Sequence, residues 1–278
     1  MSIRALTKKL EIAKVKGNLP KIVVPVHLAG NSCDMQAINN LSKKYGFFVL
    51  EDASHAIGGH YKAMPVGNCM FSDIAVFSFH PVKIITTGEG GAVSTNDSHL
   101  AEKIKTIRTH GIVKDSKLFK QKADGPWIYE QHTIGFNYRM SDIQAALGRS
   151  QLNRLKTIIN IRNNQLNIYR KLLQNTPVKL LEIDKDVLSS VHLAIVRLKD
   201  RSPDKHLKVF NSMRSVGIGV QVHYSPIHLQ PYYKQFGFKK GDFPEAESYA
   251  RNAISLPLFP GLSDEEIYFC VDKLNSFV

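Results

Sequence analysis

Cysteine is scarce in this sequence, and so is tryptophan. Three cysteines, Cys33, Cys69 and Cys270, lie far apart among 278 residues. Their odd number and wide spacing exclude a disulfide framework and a zinc pattern, and leave them as small buried apolar side chains. The 11 histidines form no HxxxH or HExxH pair, so no metal site is expected. No apolar run approaches the roughly 20 residues that a bilayer-spanning helix needs. The opening MSIRALTKKLEIAKVKGNLP has basic residues but lacks the apolar stretch of a secretory signal. No membrane partner is expected, and the expected location is cytoplasmic. Acidic residues are few as well, 24 Asp and Glu against 37 Lys and Arg, for a formal charge of +13. Such a surplus can serve nucleic acid or another polyanion. Here the lysines are scattered, with no long run and no aromatic–basic module. Solvated faces explain them better than nucleic acid does, and a phosphorylated small substrate is also compatible.

What is present is an ordinary globular composition, 43% hydrophobic and 22% charged. A helix reads up to Gly17 and Pro20, and KIVVPVHL (21–28) reads as a strand. Asp34 caps a helix that places Met35, Ile38, Leu41 and Tyr45 on one face and stops at Gly46. FFVL (47–50) reads as a strand buried on both faces. Strand, helix and strand in short succession make a βαβ unit of a parallel sheet. DIAVFSF (73–79) and GGAVST (90–95) read as strands, and HLAEKIKTIRTHG (99–111) as a helix. Residues 112–136 read as loop. Ser141 and Gln144 form a capping box that opens a helical pattern running to about residue 174. Beyond Pro177, VHLAIVRL and VGIGVQVHY read as strands, 204–215 as a helix, and Ser263 with Glu266 as the cap of a last helix. The expected organisation is residues 1–140 as a large domain, 141–175 as a connecting helix and 176–278 as a smaller domain.

Two stretches carry chemistry. In EDASHAIGG (51–59), Asp52 stands where a parallel strand ends, the place where open α/β sheets bind ligands. An isolated Asp there is more often a cap or a solvated turn carboxylate. Glu51 fits that simpler role and is assigned no chemistry, and His55 alone reads as an ordinary turn histidine. In FSFHPVKIITTGEGGAV (77–93), Lys83 follows an apolar strand and precedes a glycine-rich turn, where backbone passes close to something. Ser78 precedes it on the strand. A strand-end carboxylate with a loop lysine about 30 positions later is what pyridoxal phosphate chemistry requires. The amine forms a Schiff base with the aldehyde, and the carboxylate keeps the pyridine nitrogen protonated. The spacing alone is a weak signal.

EDASHAIGG, FSFHPVKIITTGEGGAVSTND, GFNYRMSDIQAALG, VHYSPIHLQPYY and ISLPLFP, in that order, resemble the DegT/DnrJ/EryC1/StrS aminotransferases over nearly the whole chain. The resemblance implies an α/β, fold-type I architecture with a mostly parallel sheet and a smaller C-terminal α+β domain. It implies pyridoxal 5'-phosphate as cofactor, glutamate as amino donor, a nucleotide-linked keto sugar as substrate and a homodimer. PVHLAGNSCDM, KIITTGEGG and VHYSPIHLQPYY most resemble the subgroup that aminates C4 of a UDP-linked 4-keto-6-deoxy-N-acetylhexosamine in pseudaminic acid biosynthesis. By the same resemblance, Lys83 is the Schiff-base lysine and proton shuttle, and Asp52 the pyridinium partner. His55 approaches the phenolic oxygen of the cofactor, and Ser78 bonds its phosphate. Asn137 reaches the phosphate held by the neighbouring subunit. Tyr138, Arg139, His223 and Tyr224 are candidates for nucleotide-sugar contacts. Similar proteins with histidine at the lysine position are sugar dehydratases, so Lys83 implies transamination.

The sequence departs from the family at its start. Members carry, before the strand at 21–28, a region with a phosphate-cradling loop and an aromatic side chain that stacks on the pyridine ring, and neither is found here. The expectation that follows is an exposed sheet edge with exposed apolar surface, and weak cofactor binding with poor turnover by this chain alone. The alternative to an enzyme is a remnant that keeps the fold and only pairs with a partner.

Overall fold

Helices begin where the sequence supplies a cap. The computed structural model describes residues 1–200 and 202–278. Ser2 caps helix α1 (Ile3–Val15), and Asp34 caps α2 (Met35–Tyr45), accepting the Ala37 N–H. Gly46 ends α2 at φ 77°, the left-handed conformation for which glycine carries no penalty. Met35, Ile38 and Tyr45 are buried as the periodicity predicts, and α2 packs on the strand that follows. Asp97 caps α3 (Ser98–Arg108). The Ser141–Gln144 box opens α4 (Asp142–Leu152), and a Ser263–Glu266 box opens the last helix.

The chain divides into two compact units. The first comprises residues 1–27, 32–57 and 64–154, the second residues 28–31, 58–63 and 155–278. The first holds a four-stranded sheet of β1 (Ile22–Val23), β2 (Phe48–Asp52), β3 (Ile74–Ser78) and β4 (Gly91–Ser94), in that spatial order. β1, β2 and β3 are mutually parallel, and β4 returns antiparallel to β3. A two-residue ribbon pairs β5 (Ile112–Val113) with β6 (Glu130–Gln131) inside the stretch that reads as loop.

The second unit is α+β. Its sheet orders β7 (Val178–Leu180), β8 (Ala194–Leu198) and β9 (Ala253–Leu256) antiparallel, with β8 central. Helices α5 (Leu155–Leu172), α6 (Pro203–Ser215) and the final helix bury its core, in which Tyr169, Met213, Ile254, Ile267 and Leu274 are almost inaccessible. Between them run α7 (Pro231–Lys234) and α8 (Pro244–Ala250), which puts α9 at Asp264–Phe277. No helix among the described residues is long and apolar enough to cross a membrane.

Four sequence expectations change. The strand at 21–28 shrinks to Ile22–Val23 with an isolated bridge at Val26, because Pro25 has no N–H for the ladder. β2 is not buried on both faces: Val49 is 1% exposed but Phe48 is 63%, and Ile22, Val24 and Val26 are exposed beside it on the edge strand. The helix expected from 141 to about 174 is two helices, parted at Asn153–Arg154, where the Arg154 N–H bonds to Gln151 and the ladder tightens to a three-residue step. VGIGVQVHY forms no strand. Gln221 exchanges a pair of hydrogen bonds with Ser255, but the Val222 N–H turns to the Gln221 side chain at 3.0 Å instead of a neighbouring strand.

Candidate active site

The site is built at the carboxyl ends of β2 and β3. Leu50, Glu51 and Asp52 lie opposite Ile74, Ala75 and Val76. Cross-strand partners share a face, and successive residues alternate. Asp52 therefore shares a face with Val76 and Ser78, while Glu51 and Ala75 occupy the other. The end of β2 is clamped from both sides. The Asp52 N–H donates to Pro25 at 2.9 Å, its carbonyl accepts the His27 N–H at 3.0 Å, and the Ala53 N–H donates to Val76 at 2.9 Å. The Asp52 carboxylate is half-buried and accepts the Ser54 N–H at 3.1 Å. His55 follows in a turn closed by the Ala56 N–H on Ala53, and is 7% exposed.

Lys83 stands in the loop between Ser78 and Gly91, which face each other across β3 and β4. Ile84 and Ile85, 4% and 1% exposed, anchor that loop in the core. The Lys83 N–H donates to His80 at 2.9 Å, and its side chain is half-buried. Burial pushes the Lys83 amine below the ordinary lysine range, and the Asp52 carboxylate pushes it part of the way back. The two side chains are thus near enough for their charges to interact. The Ser78 hydroxyl accepts the His80 N–H at 3.4 Å.

Asn137, Tyr138 and Arg139 lie on the exposed segment between β6 and α4. Asn137 bridges Thr109, the Tyr138 N–H donates to Arg108 at 3.0 Å, and the Tyr138 ring stacks on Phe136 at 4.7 Å. His223 and Tyr224 belong to the second unit. There His223 Nδ1 shares a 2.7 Å hydrogen bond with Ser255 Oγ, and its ring meets the edge of Tyr224, which is 53% exposed.

Glu51 departs from its expected role. It is no solvated turn carboxylate but 4% exposed, bonded to His27 Nε2 at 2.8 Å and to the Ser72 hydroxyl. His27 is fully buried, and its Nδ1 accepts the Cys33 N–H at 3.2 Å. A ring that accepts at Nδ1 holds its proton on Nε2, facing Glu51. The group braces the underside of the strand end that carries Asp52. Strand alternation was the signal for it: residue 51 must face opposite to residue 52.

The first unit offers a half-buried primary amine, a carboxylate on a clamped strand end and a hydroxyl on the face of that carboxylate. This donor set fits pyridoxal phosphate. Among the described residues no cluster of His, Cys, Asp and Glu is arranged to hold a metal ion.

Comparison with known proteins agrees with this chemistry. The model of the DegT/DnrJ/EryC1/StrS aminotransferase family matches residues 4–275. The chain is 36% identical over 277 residues to the UDP-4-amino-4,6-dideoxy-N-acetyl-beta-L-altrosamine transaminase of Campylobacter jejuni serotype O:2, covering 98% of this chain and 69% of that protein. Helicobacter pylori PseC, an aminotransferase of pseudaminic acid biosynthesis, superimposes with a TM-score of 0.86 at 33% identity, over 97% of this chain and 70% of that one. The PLP-form of the sugar aminotransferase Spr1654 of Streptococcus pneumoniae superimposes at 0.83 with 27% identity, over 95% and 70%. The chain spans somewhat more than two thirds of these proteins. They bear out the fold-type I α/β architecture and favour an enzyme over a fold-only remnant.

Proposed function

Because the chain belongs to the DegT/DnrJ/EryC1/StrS aminotransferase family, and is a pyridoxal-phosphate aminotransferase, we propose that it moves an amino group from glutamate to the C4 keto group of a nucleotide-linked 4-keto-6-deoxy sugar. A UDP-linked N-acetylhexosamine is the substrate suggested by the Campylobacter relative. The observation that carries the reading is the placement of Asp52 at the end of β2, on the face it shares with Ser78, with the half-buried Lys83 in the loop that follows Ser78.

When bound, the cofactor supplies an aldehyde that accepts the amino group and a ring that takes up electrons from the substrate C–H bond. The rest falls to residues of this chain. Lys83 holds the cofactor, and its amine carries the proton to and from the substrate carbon, because a half-buried amine below its usual range releases a proton readily. Asp52, its carboxylate oriented by Ser54, keeps the proton on the ring nitrogen. His55, buried beside that strand end, faces the phenolic oxygen, and Ser78 donates to the phosphate. Asn137 reaches the phosphate of the partner subunit's cofactor, so the reading includes a homodimer. Tyr138, Arg139, His223 and Tyr224 hold the nucleotide sugar. The same reading places residues 1–140 as the cofactor domain and 176–278 as the smaller domain, in the cytoplasm.

The test is reconstitution with pyridoxal phosphate. The protein should develop the visible absorbance of a lysine-bound cofactor, and Lys83→Ala should lose it together with about a thousandfold or more of turnover. An undiminished band in Lys83→Ala would refute the assignment.

A further inference from the structure

The capping box of α4 contains a glutamine where glutamate serves as well. A box needs only an oxygen at its third helical position, to accept the N–H of the cap. Gln144 Oε1 does this, accepting the Ser141 N–H at 3.0 Å and the Ser141 hydroxyl at 3.1 Å. Its other end is also engaged. Gln144 Nε2 donates at 2.9 Å to the carbonyl of Glu89, 55 positions earlier, in the loop that carries Lys83. The orientation of the amide is unambiguous, because a flip would set oxygen against the Glu89 carbonyl and N–H against the Ser141 N–H.

The contact is one of three, at position 140 just before the Ser141 cap and at positions 144 and 148 of α4. A Cβ at Gly90 would stand 2.8 Å from Met140 Cε, and one at Gly148 would stand 2.7 Å from Thr87 Cγ2. The start of α4 therefore lies against Thr87–Gly90 in close contact. Within the loop, the Thr87 hydroxyl also donates to the Glu89 carbonyl at 2.6 Å, and Phe79 gathers the Thr87 N–H, the Thr86 hydroxyl and the Gly90 carbonyl. The loop is tied to itself and to its own strand. The hydrogen bond from Gln144 ties it to the helix that follows the segment bearing Asn137, Tyr138 and Arg139.

We propose that Gln144 is a positioning residue, which through its single donated hydrogen bond to Glu89 sets the Lys83 loop against the Asn137 segment. The proposal rests on the assignment of Lys83 above. The discriminating variant is Gln144→Glu. It keeps the oxygen that caps α4, so the melting temperature should stay within about 2 °C of the parent. It has no N–H for Glu89 and sets a carboxylate against that carbonyl. Hydrogen exchange of the cofactor-free protein should then accelerate about fivefold to tenfold in the peptide spanning 79–91 and nowhere else. After loading with pyridoxal phosphate, the pH midpoint of the absorbance band should move from that of the parent. Gln144→Ala, which removes both bonds, should show both effects and melt lower. Parental exchange and an unmoved pH midpoint in Gln144→Glu would overturn the proposal, as would acceleration spread evenly over the molecule. A band that survives Lys83→Ala would instead overturn the lysine assignment, and with it the role of Gln144, even where exchange at 79–91 records the contact itself.

Discussion

At the scale of single residues, the site turns on one amine and one carboxylate whose effects oppose. Burial depresses the Lys83 amine, while the negative charge of Asp52 favours its protonated form. Removing that charge must lower the amine further. In Asp52→Asn, Lys83 should therefore lose its proton at lower pH than in the parent, where it already titrates below the ordinary lysine range. Titration by NMR of isotopically methylated lysines can show this, with the Lys83 signal assigned by its absence in Lys83→Arg. An upward shift in Asp52→Asn would mean that Asp52 does not act on this amine. Glu51, one residue away, shows why neighbours in sequence need not be neighbours in role. It turns to the opposite face, where His27 and Ser72 enclose it.

At the scale of elements, local signals are legible in the sequence where they act within one turn. The caps Asp34, Ser141 and Ser263 all accept the N–H groups expected of them. Elements that depend on partners elsewhere are less legible, as at 216–224, where the pattern predicts a strand and only an isolated bridge forms. The segment around α8 gives a prediction at this scale. Glu247 is 4% exposed, and the Gly241 N–H, then His228, hold its carboxyl below the ordinary carboxylate value of 4.5. A carboxyl depressed in the folded state contributes stability that is fully present above its unfolded value, and that is lost as the pH falls through its folded value. The parent should therefore lose melting temperature below about pH 4.5 more steeply than Glu247→Gln. Parallel melting profiles for the two proteins over that acid range would refute this contribution.

At the scale of the whole molecule, the basic residues behind the net charge of +13 are scattered along the chain with no long run. If Asn137 completes the partner subunit's site, two defective proteins can repair each other. Lys83→Ala and Asn137→Ala, each inactive or nearly so, should regain activity when unfolded and refolded together. Random pairing makes half of the dimers mixed, and each mixed dimer holds one intact site of two, so about a quarter of parental activity is expected. No recovery, with mixed dimers demonstrated by mass, would place Asn137 in its own subunit's site or outside the site altogether.

The residues alone determined the caps, the strand-end position of Asp52, the loop position of Lys83 and, through five motifs in order, the family. These signals are local: a cap, a turn or a strand end depends on a few neighbouring positions and can be read without knowing what lies across from them. Only the tertiary structure decided that β2 buries one face, that the helix after Ser141 breaks at Asn153–Arg154, and that Gln144 serves the lysine loop as well as its own cap. His27 and Glu51 stand 24 positions apart, and Gln144 and Glu89 stand 55 apart. A hydrogen bond over such a separation exists only once packing has brought its donor and acceptor within 3 Å or so of each other.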